Sequence, residues 1–484
     1  MQNSDIIWQI KPHFFDGISL EEKFSKGKTI KISPAREILE FECNGEWYIL
    51  KIFHAPLLAD RIRIWLNPRP WREWKNLQAL HSLKMPVPEP VALGKKGKDG
   101  YLITKKIPET RSLRDICREY LDLAERRDIA TKLAQLTASL HNQGWIHHDF
   151  HSGNILLDQK GMLYLVDLYG ISHYSSLSQK KAIQNLAMLG VSFALCASYT
   201  DFFIFFKEYF YHSRLFQKQS FSDTFKLTNQ CFMDWFSSFS AKRAMRCIKS
   251  NKYFQKISNE MGTGFIHRQN SIETFPTSIP KGTVWKDSRS TLVQKTSFGV
   301  WKQYRRKKIQ NLLLDCFRPS RAKKAWIAGY NCFLRGIPTA KPLFFQEKRN
   351  FLFLENCYIV TQEIENACIL PKYLLGTEDQ QRKENLLKQL GKMIHTMHDR
   401  GLTHRDLKGN NLLVDQNERI YLIDLDGLSM RKKISQSRRL KDVKRLIKGL
   451  KLVKNIEKKD IEIFLDSYLP FARDEEKKRW LKNI

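Results

Sequence analysis

The chain has 484 residues, 42% of them hydrophobic and 12% aromatic, which excludes a disordered protein and leaves room for about two to four packed domains. Lys+Arg number 82 against 50 Asp+Glu, a formal net charge of +32, which favours polyanionic partners (phosphorylated sugars, anionic lipid head groups or nucleic acid) without choosing among them. Nine cysteines with no C-x-x-C pair argue against a disulfide frame or a zinc site and read as free thiols in a reducing compartment.

The N-terminus, MQNSDIIWQIKPHFF, has neither the basic start nor the apolar core of a signal peptide. Residues 29–53 alternate as strands do, and a helical segment follows that ends at the turns around Pro86, Pro88 and Pro90. Another strand (YLITKKI) leads into a long amphipathic helix that ends at Gly144. The most apolar stretch, Leu186 to Phe206, meets Asp201 after 15 uncharged residues, short of the ~20 that a membrane-spanning helix needs. It reads as a buried helix pair, with Phe202, Phe203, Phe205 and Phe206 as core or interface. Near residue 240 a helix-like run (FMDWFSSFSAKRAM) gives way to strand-like sequence, and the same order of elements begins again.

That second pass is a repeat. HHDFHSGNILLDQKGMLYLVDLYG (147–170) parallels HRDLKGNNLLVDQNERIYLIDLDG (404–427) without a gap at an offset of 257, and upstream ALHSLKMPVPEPVALG parallels CFLRGIPTAKPLFF at 252. The expected organisation is α+β: two tandem protein-kinase-like bilobal domains at 1–240 and 241–484. Their β-rich N-lobes cover about 1–105 and 241–366, and their helical C-lobes about 106–240 and 367–484.

H-x-D-x-x-x-x-N followed by an apolar-flanked Asp is the core pattern of that fold, and phosphoryl transfer explains it. An acceptor hydroxyl needs a carboxylate to orient it and take its proton, a role suited to Asp149 and Asp406. The phosphates of ATP arrive with Mg²⁺, which wants oxygen ligands. Asn154 and Asp167 in the first copy, and Asn411 and Asp424 in the second, can supply them. His395 and His398 read as helix packing and turn capping rather than as a metal pair.

The sequence resembles the lipopolysaccharide kinase family, the bacterial Kdo and heptose kinases. The resemblance rests on GEWYILKIF, PWREWKNLQALHSLKMPVPEPVALG, HHDFHSGNILL and LVDL in the first copy. In the second it rests on VWKQYR, RPSRAKKAWIAGYNCFLRGIPTAKPL, THRDLKGNNLLV, LIDLDG and LKDVKRL. It implies an ATP- and Mg²⁺-dependent kinase that phosphorylates a sugar of a lipopolysaccharide-core-type glycolipid, in the cytoplasm at the inner face of the inner membrane. It further implies that Lys51 is the nucleotide-phosphate lysine, with Glu73 as its helix partner, and that Lys302 is the matching lysine. The offset of 252 carries Glu73 to Ala325, and no Glu lies between Lys302 and Glu347. Conversely, the helix Asp that braces the H-x-D backbone in kinases is Asp442 in the second copy but Asn185 in the first.

No G-x-G-x-x-G precedes either lysine, so ordinary turns must cover the phosphates, with 25–28 and 286–291 as candidates. Basic runs at 302–308 and 431–454 suit an anionic glycolipid or peripheral contact with an anionic membrane, while no nucleic-acid module is present and no such partner is expected. The rival readings are a protein Ser/Thr kinase and a non-catalytic tandem pseudokinase that binds an anionic ligand.

Overall fold

The structure, a computed structural model, describes residues 6–10, 24, 26–54, 69–270, 276, 278–305, 318–350 and 353–484. Cys316 and residues 306–308 of the first basic run fall outside the described residues. The chain divides into two compact units, Met1–Trp235 and Phe236–Ile484. Each starts with an antiparallel sheet and continues into helices, so the protein is α+β with two tandem kinase-like domains.

In the first unit, strand β1 (Ile7–Ile10) precedes three strands in sequence: β2 (Lys28–Ser33), β3 (Arg36–Cys43) and β4 (Glu46–Phe53). The β3–β4 turn is Asn44-Gly45, with φ of 53° and 76°, the pair of positive values that a two-residue hairpin turn needs. Helix α1 (Arg69–Ser82) and the hairpin β5 (Pro90–Lys96)–β6 (Asp99–Lys105) complete a sheet of order β1-β5-β6-β4-β3-β2. Strand alternation sorts the side chains. Leu39, Phe41, Tyr48 and Leu50 form a small core on one face. Phe53 packs with Trp74 and Leu77 of α1 on the other, which turns Lys51, two residues away, toward that helix.

The helical half opens with α2 (Leu123–Asn142), started by a capping box in which the Glu125 amide donates to Asp122 and the Asp122 amide donates to Glu125. Gly144 (φ 76°) stops it and aims the chain into β7 (Trp145–His147), which carries the start of H-x-D. The hairpin β8 (Ile155–Leu157)–β9 (Leu163–Leu165) then folds the chain back, and β10 (Ile171–His173) pairs with β7. The apolar stretch 186–206 lies in two helices, α3 (Gln179–Phe193) and α4 (Tyr199–His212), followed by α5 (Phe221–Ala244). Phe205 and Phe206 are buried there and Phe203 is 38% exposed. No helix among the described residues is long and apolar enough to cross a membrane.

The second unit has a seven-stranded sheet. Its strands are β11 (Phe254–Asn259), β12 (Gly262–His267), β13 (Thr283–Ser288), β14 (Thr291–Thr296), β15 (Gly299–Tyr304), β16 (Pro342–Asn350) and β17 (Phe353–Thr361), in the order β11-β12-β16-β17-β15-β14-β13. Its last five places repeat β5-β6-β4-β3-β2 of the first unit. Lys51 stands between Ile38 and Leu102, and Lys302 between Val293 and Ile359, the same place in each sheet. The strands of the β16–β17 hairpin have nine residues each where β5 and β6 have seven. Pro90 faces Thr104 across the first hairpin and Pro342 faces Thr361 across the second, so the hairpin takes up all five residues by which the repeat offset grows. Helix α6 (Arg321–Leu334) lies where α1 does in the chain order. It is followed by α7 (Gln380–Asp399), the strands β18 (Leu402–His404), β19 (Leu412–Val414), β20 (Ile420–Leu422) and β21 (Leu428–Met430), and the helices α8 (Gln436–Leu450), α9 (Lys458–Tyr468) and α10 (Asp474–Asn483).

Both helices that precede H-x-D end at a glycine with no room for a side chain. A Cβ on Gly144 would lie 2.3 Å from the Tyr174 carbonyl oxygen, and one on Gly401 (φ 79°) 2.2 Å from that of Arg431. Gly144→Ala is expected to destabilise the first unit by roughly 2 kcal/mol or more, from backbone strain and steric overlap together. Urea denaturation of the full chain measures this. An unchanged midpoint would mean that the turn is not fixed as described.

Candidate active site

In the first unit, Lys51 Nζ lies 2.5 Å from Glu73 Oε1, with side chains 12% and 1% exposed. Strand β4 and helix α1 thus hold a buried ammonium between them. The second Glu73 oxygen is buried with no hydrogen-bond partner among the described residues. Asp167 follows β9 in the left-handed backbone region (φ 65°, ψ 49°), which Asp tolerates at modest cost. Its carboxylate takes a two-pronged ion pair from Arg36, at 2.5 and 3.1 Å. Burial works against the Asp167 charge, but the nearby Lys51 and Arg36 cations outweigh it and hold its pKa below the ordinary value.

Asp149 is 60% exposed at the side chain. Its backbone is fixed twice: its amide donates to His147 Nδ1 at 3.2 Å, and its carbonyl accepts from Asn154 Nδ2 at 2.9 Å. With its NH₂ so engaged, the Asn154 amide oxygen remains for another partner. His151 stands 3.5 Å from the carboxylate. Hydrogen bonding to His151 is the chief cause of a lowered Asp149 pKa, against partial burial.

A buried chain of side chains supports this loop. Asn185 Nδ2 donates to the His147 carbonyl at 2.8 Å, Asn185 Oδ1 meets His141 Nε2 at 3.0 Å, and His141 Nδ1 meets the Tyr209 hydroxyl at 2.8 Å. The second unit repeats it. Asp442 Oδ2 accepts from the His404 amide at 2.9 Å and faces His398 Nε2 at 3.4 Å, while His398 Nδ1 meets the Tyr468 hydroxyl at 2.7 Å. His398 therefore braces the loop. The Asn/Asp exchange changes which backbone group is satisfied, the His147 carbonyl in one unit and the His404 amide in the other.

Around Asp406 the second unit matches the first. Its amide donates to His404 Nδ1 at 3.3 Å, and Asn411 Nδ2 donates to its carbonyl at 2.8 Å. Lys408 Nζ lies 2.7 Å from its carboxylate. Burial would raise the Asp406 pKa, but Lys408 and Asn411 bring it below the ordinary value. The cation pairing elsewhere differs. Lys302, opposite a helix that offers Ala325, forms its ion pair with Asp424. Asp424 has the same left-handed backbone as Asp167 (φ 61°, ψ 53°). Its neighbour Asp426 is paired with Arg321 at 2.7 Å. Burial and the adjacent Asp424 raise the Asp426 pKa. Asp424 is held far below its usual value despite burial, by its hydrogen bond with Asp426 and by Lys302.

Several of these residues escaped the sequence reading. His151 and Lys408 share the offset of 257, so the repeat already carried that signal. Arg36 had none, because the turn it closes was not located. Of the candidate 25–28, Ser25 lies outside the described residues and Lys28 opens β2, while the turn that carries Arg36 is the β2–β3 turn closed by Ser33 and Arg36. In the second unit 286–291 does contain the equivalent turn, closed by Ser288 and Thr291.

No group of three or more His, Cys, Asp or Glu among the described residues could hold a metal by itself. The Asn154–Asp167 and Asn411–Asp424 pairs instead suit Mg²⁺, which commonly takes one or two protein oxygens and completes its shell with phosphates and water.

The lipopolysaccharide kinase (Kdo/WaaP) family profile matches residues 25–209 and 288–468. Relatives described as 3-deoxy-D-manno-octulosonic acid kinase are 35% identical over 94 residues in Actinobacillus succinogenes and 32% over 97 in Haemophilus influenzae, each match covering 19% of this chain and 38% of the relative. That of Vibrio cholerae is 26% identical over 91 residues, covering 19% and 37%. The chain thus spans little more than a third of the length of these relatives.

Burial of His141 in the brace lowers its pKa from 6.5 to about 4. Above pH 6.5 the imidazole is neutral in both folded and unfolded chains, and the brace contributes fully. As pH falls from 6.5 toward 4 the unfolded chain takes up the proton first, so stability is lost, about 2 kcal/mol by pH 5. Denaturation at pH 7.5 and 5 should show a smaller acid-induced loss in His141→Gln than in the wild type. Equal losses would contradict a neutral, buried His141.

Proposed function

We infer a function from one premise: this chain belongs to the lipopolysaccharide kinase (Kdo/WaaP) family, whose profile covers most of both units. The proposed activity is transfer of the γ-phosphoryl group of ATP to a sugar hydroxyl of a lipopolysaccharide-core-type glycolipid, carried by the first unit. The observation that carries the choice of unit is the buried Lys51–Glu73 pair at 2.5 Å. That pair supports reading Lys51 as the ammonium that meets the α/β-phosphates in kinase-like sites. Asp149, exposed and held as a carboxylate, orients the acceptor hydroxyl and takes its proton. The acceptor oxygen bonds to the γ-phosphorus as the bond to the ADP oxygen breaks. Asn154 and Asp167 would hold Mg²⁺, which when bound neutralises phosphate charge. Arg36 would have to leave Asp167 for that, and from the β2–β3 turn it would be free to meet the phosphates.

The second unit is proposed to be a weak catalyst or a non-catalytic partner domain. Its lysine has no helix carboxylate and occupies Asp424 instead, so metal and lysine compete for one group. A protein-kinase reading has no observation in its favour here.

A place at the cytoplasmic face of the inner membrane is part of the same proposal. Helix α8 buries Asp442, Val443, Leu446, Ile447 and Leu450 and exposes Lys441, Lys444, Arg445 and Lys448, with Leu452 beyond them 82% exposed. A cationic helix face next to an exposed apolar side chain suits an anionic bilayer.

Two measurements test these readings. Acceptor-dependent ADP release from a Kdo-lipid acceptor should fall at least a hundredfold in Asp149→Asn and far less in Asp406→Asn. The reverse ranking would move the reaction to the second unit, and no turnover by the wild type on any sugar acceptor would end the kinase reading. Binding to phosphatidylglycerol-containing vesicles should weaken at least tenfold at low salt when Lys444, Arg445 and Lys448 are changed to Glu. Binding that is unchanged, or equal on pure phosphatidylcholine, would remove α8 as the contact.

A further inference from the structure

The first unit has a cavity of about 350 Å³ beside its reactive carboxylate, lined by Arg72, His148, Asp149, Tyr169, Gly170, Ile171 and Ser172. Lys51, Asn154 and Asp167 do not line it. It therefore reaches Asp149 without being lined by the groups proposed to hold nucleotide and metal, as a place for the acceptor should. Its walls are cationic and hydrogen-bonding. Arg72 makes no ion pair with any carboxylate among the described residues, and its Nε is buried without a hydrogen-bond partner among them. The guanidinium is held only loosely by the Tyr169 ring, 5.8 Å from its centroid. Two further lining residues meet each other, His148 Nε2 and Ser172 Oγ at 3.0 Å.

A partly buried guanidinium with no counter-ion is costly, and a bound oxyanion relieves that cost with charge-assisted, two-pronged hydrogen bonds. The second unit shows how the same frame looks when the charge is satisfied internally. At the offset of 257, Tyr169 becomes Asp426, which pairs with Arg321 at 2.7 Å. At 252, Arg72 becomes Lys324, which is exposed. Arg321 is the counterpart of Arg69, which stands over the Tyr169 ring at 5.7 Å as Arg72 does at 5.8 Å. Where the second copy has a carboxylate at this place, the first has a neutral aromatic that offers neither arginine a counter-charge.

We propose that Arg72, with His148 and Ser172, forms an oxyanion subsite that holds a carboxylate or phosphate of the acceptor while a hydroxyl of the same molecule sits on Asp149. The first unit then selects acidic sugars over neutral ones of the same shape. This rests on the reading of Asp149 as the acceptor-side base.

The test uses the full chain and three acceptors: a lipid-linked 3-deoxy-D-manno-octulosonic acid, its carboxyl methyl ester, and a phosphorylated neutral heptose. For the wild type the ester should show a KM ten- to a hundredfold above that of the acid, the range a charge-assisted hydrogen bond carries. Arg72→Ala should raise KM for the acid by a similar factor, with much less effect on the ester and on KM for ATP, and Arg72→Lys should recover part of the loss. If the phosphorylated heptose rather than the acid shows the Arg72 dependence, the anion read is phosphate. Equal losses on acid and ester in Arg72→Ala, or a raised KM for ATP, would overturn the proposal and leave Arg72 a structural or nucleotide-side residue. If the wild type turns over none of them, the kinase reading has failed. The subsite is then judged by calorimetric binding of inorganic phosphate, which must weaken at least tenfold in Arg72→Ala for the subsite to stand.

Discussion

Everything at the candidate sites depends on one buried hydrogen-bond chain, running from a helix tyrosine through a histidine to an amide or carboxylate that grips the backbone of H-x-D. Tyr209, His141 and Asn185 form it in the first unit, and Tyr468, His398 and Asp442 in the second. The three-residue strands β7 and β18 have little ladder of their own. Their polar groups are buried and need partners from elsewhere. The helix that supplies the histidine must then end one turn later and reverse, which only Gly144 and Gly401 allow. The brace is conserved between the copies in shape while its charge differs. A neutral Asn185 facing a neutral His141 carries no desolvated ion, whereas Asp442 brings a carboxylate that needs both the His404 amide and His398.

On this common frame the two units distribute charge differently. In the first, Lys51 is committed to Glu73 and Asp167 to Arg36. In the second, Lys302 takes Asp424 and Arg321 takes Asp426. Two replacements accompany the move of the lysine: Ala325 stands where Glu73 does, and Thr291 stands at the sheet position of Arg36, so no arginine from that strand occupies Asp424. A buried ammonium cannot remain unpaired, and the nearest remaining carboxylate is the one placed by the left-handed turn after β20.

The repeat made the H-x-D loops, the hairpins and the glycine-ended helices legible, because each rests on residues at one constant offset. Ala325 showed that a partner was missing, but not that Lys302 would turn to Asp424, which depends on how the sheet and the loop meet. Arg36 could not be read at all. Ser33-Pro34 in the run T-I-K-I-S-P-A-R-E-I-L-E marks a turn, but nothing in it says that the turn brings residue 36 over Asp167, 131 positions away. The mutual dependence of His398 and Asp442 was equally hidden, since 44 residues separate them.

Charge pairing across the first cleft bears on how ligands enter it. The two nucleotide-side carboxylates, Glu73 and Asp167, are already neutralised by Lys51 and Arg36, so a bare anion or a bare cation gains little there. On the proposed reading ATP and Mg²⁺ together would exchange partners without leaving a charge exposed: Asp167 would hold the metal, and the Arg36 guanidinium would turn to the phosphates. Across the carboxylate of Asp149, Arg72 has no compensating carboxylate among the described residues. On the proposed reading the nucleotide side would then favour a neutralised pair of ligands and the acceptor side an anion. That asymmetry would separate the two substrates by charge before any contact with the sugar ring discriminates between them.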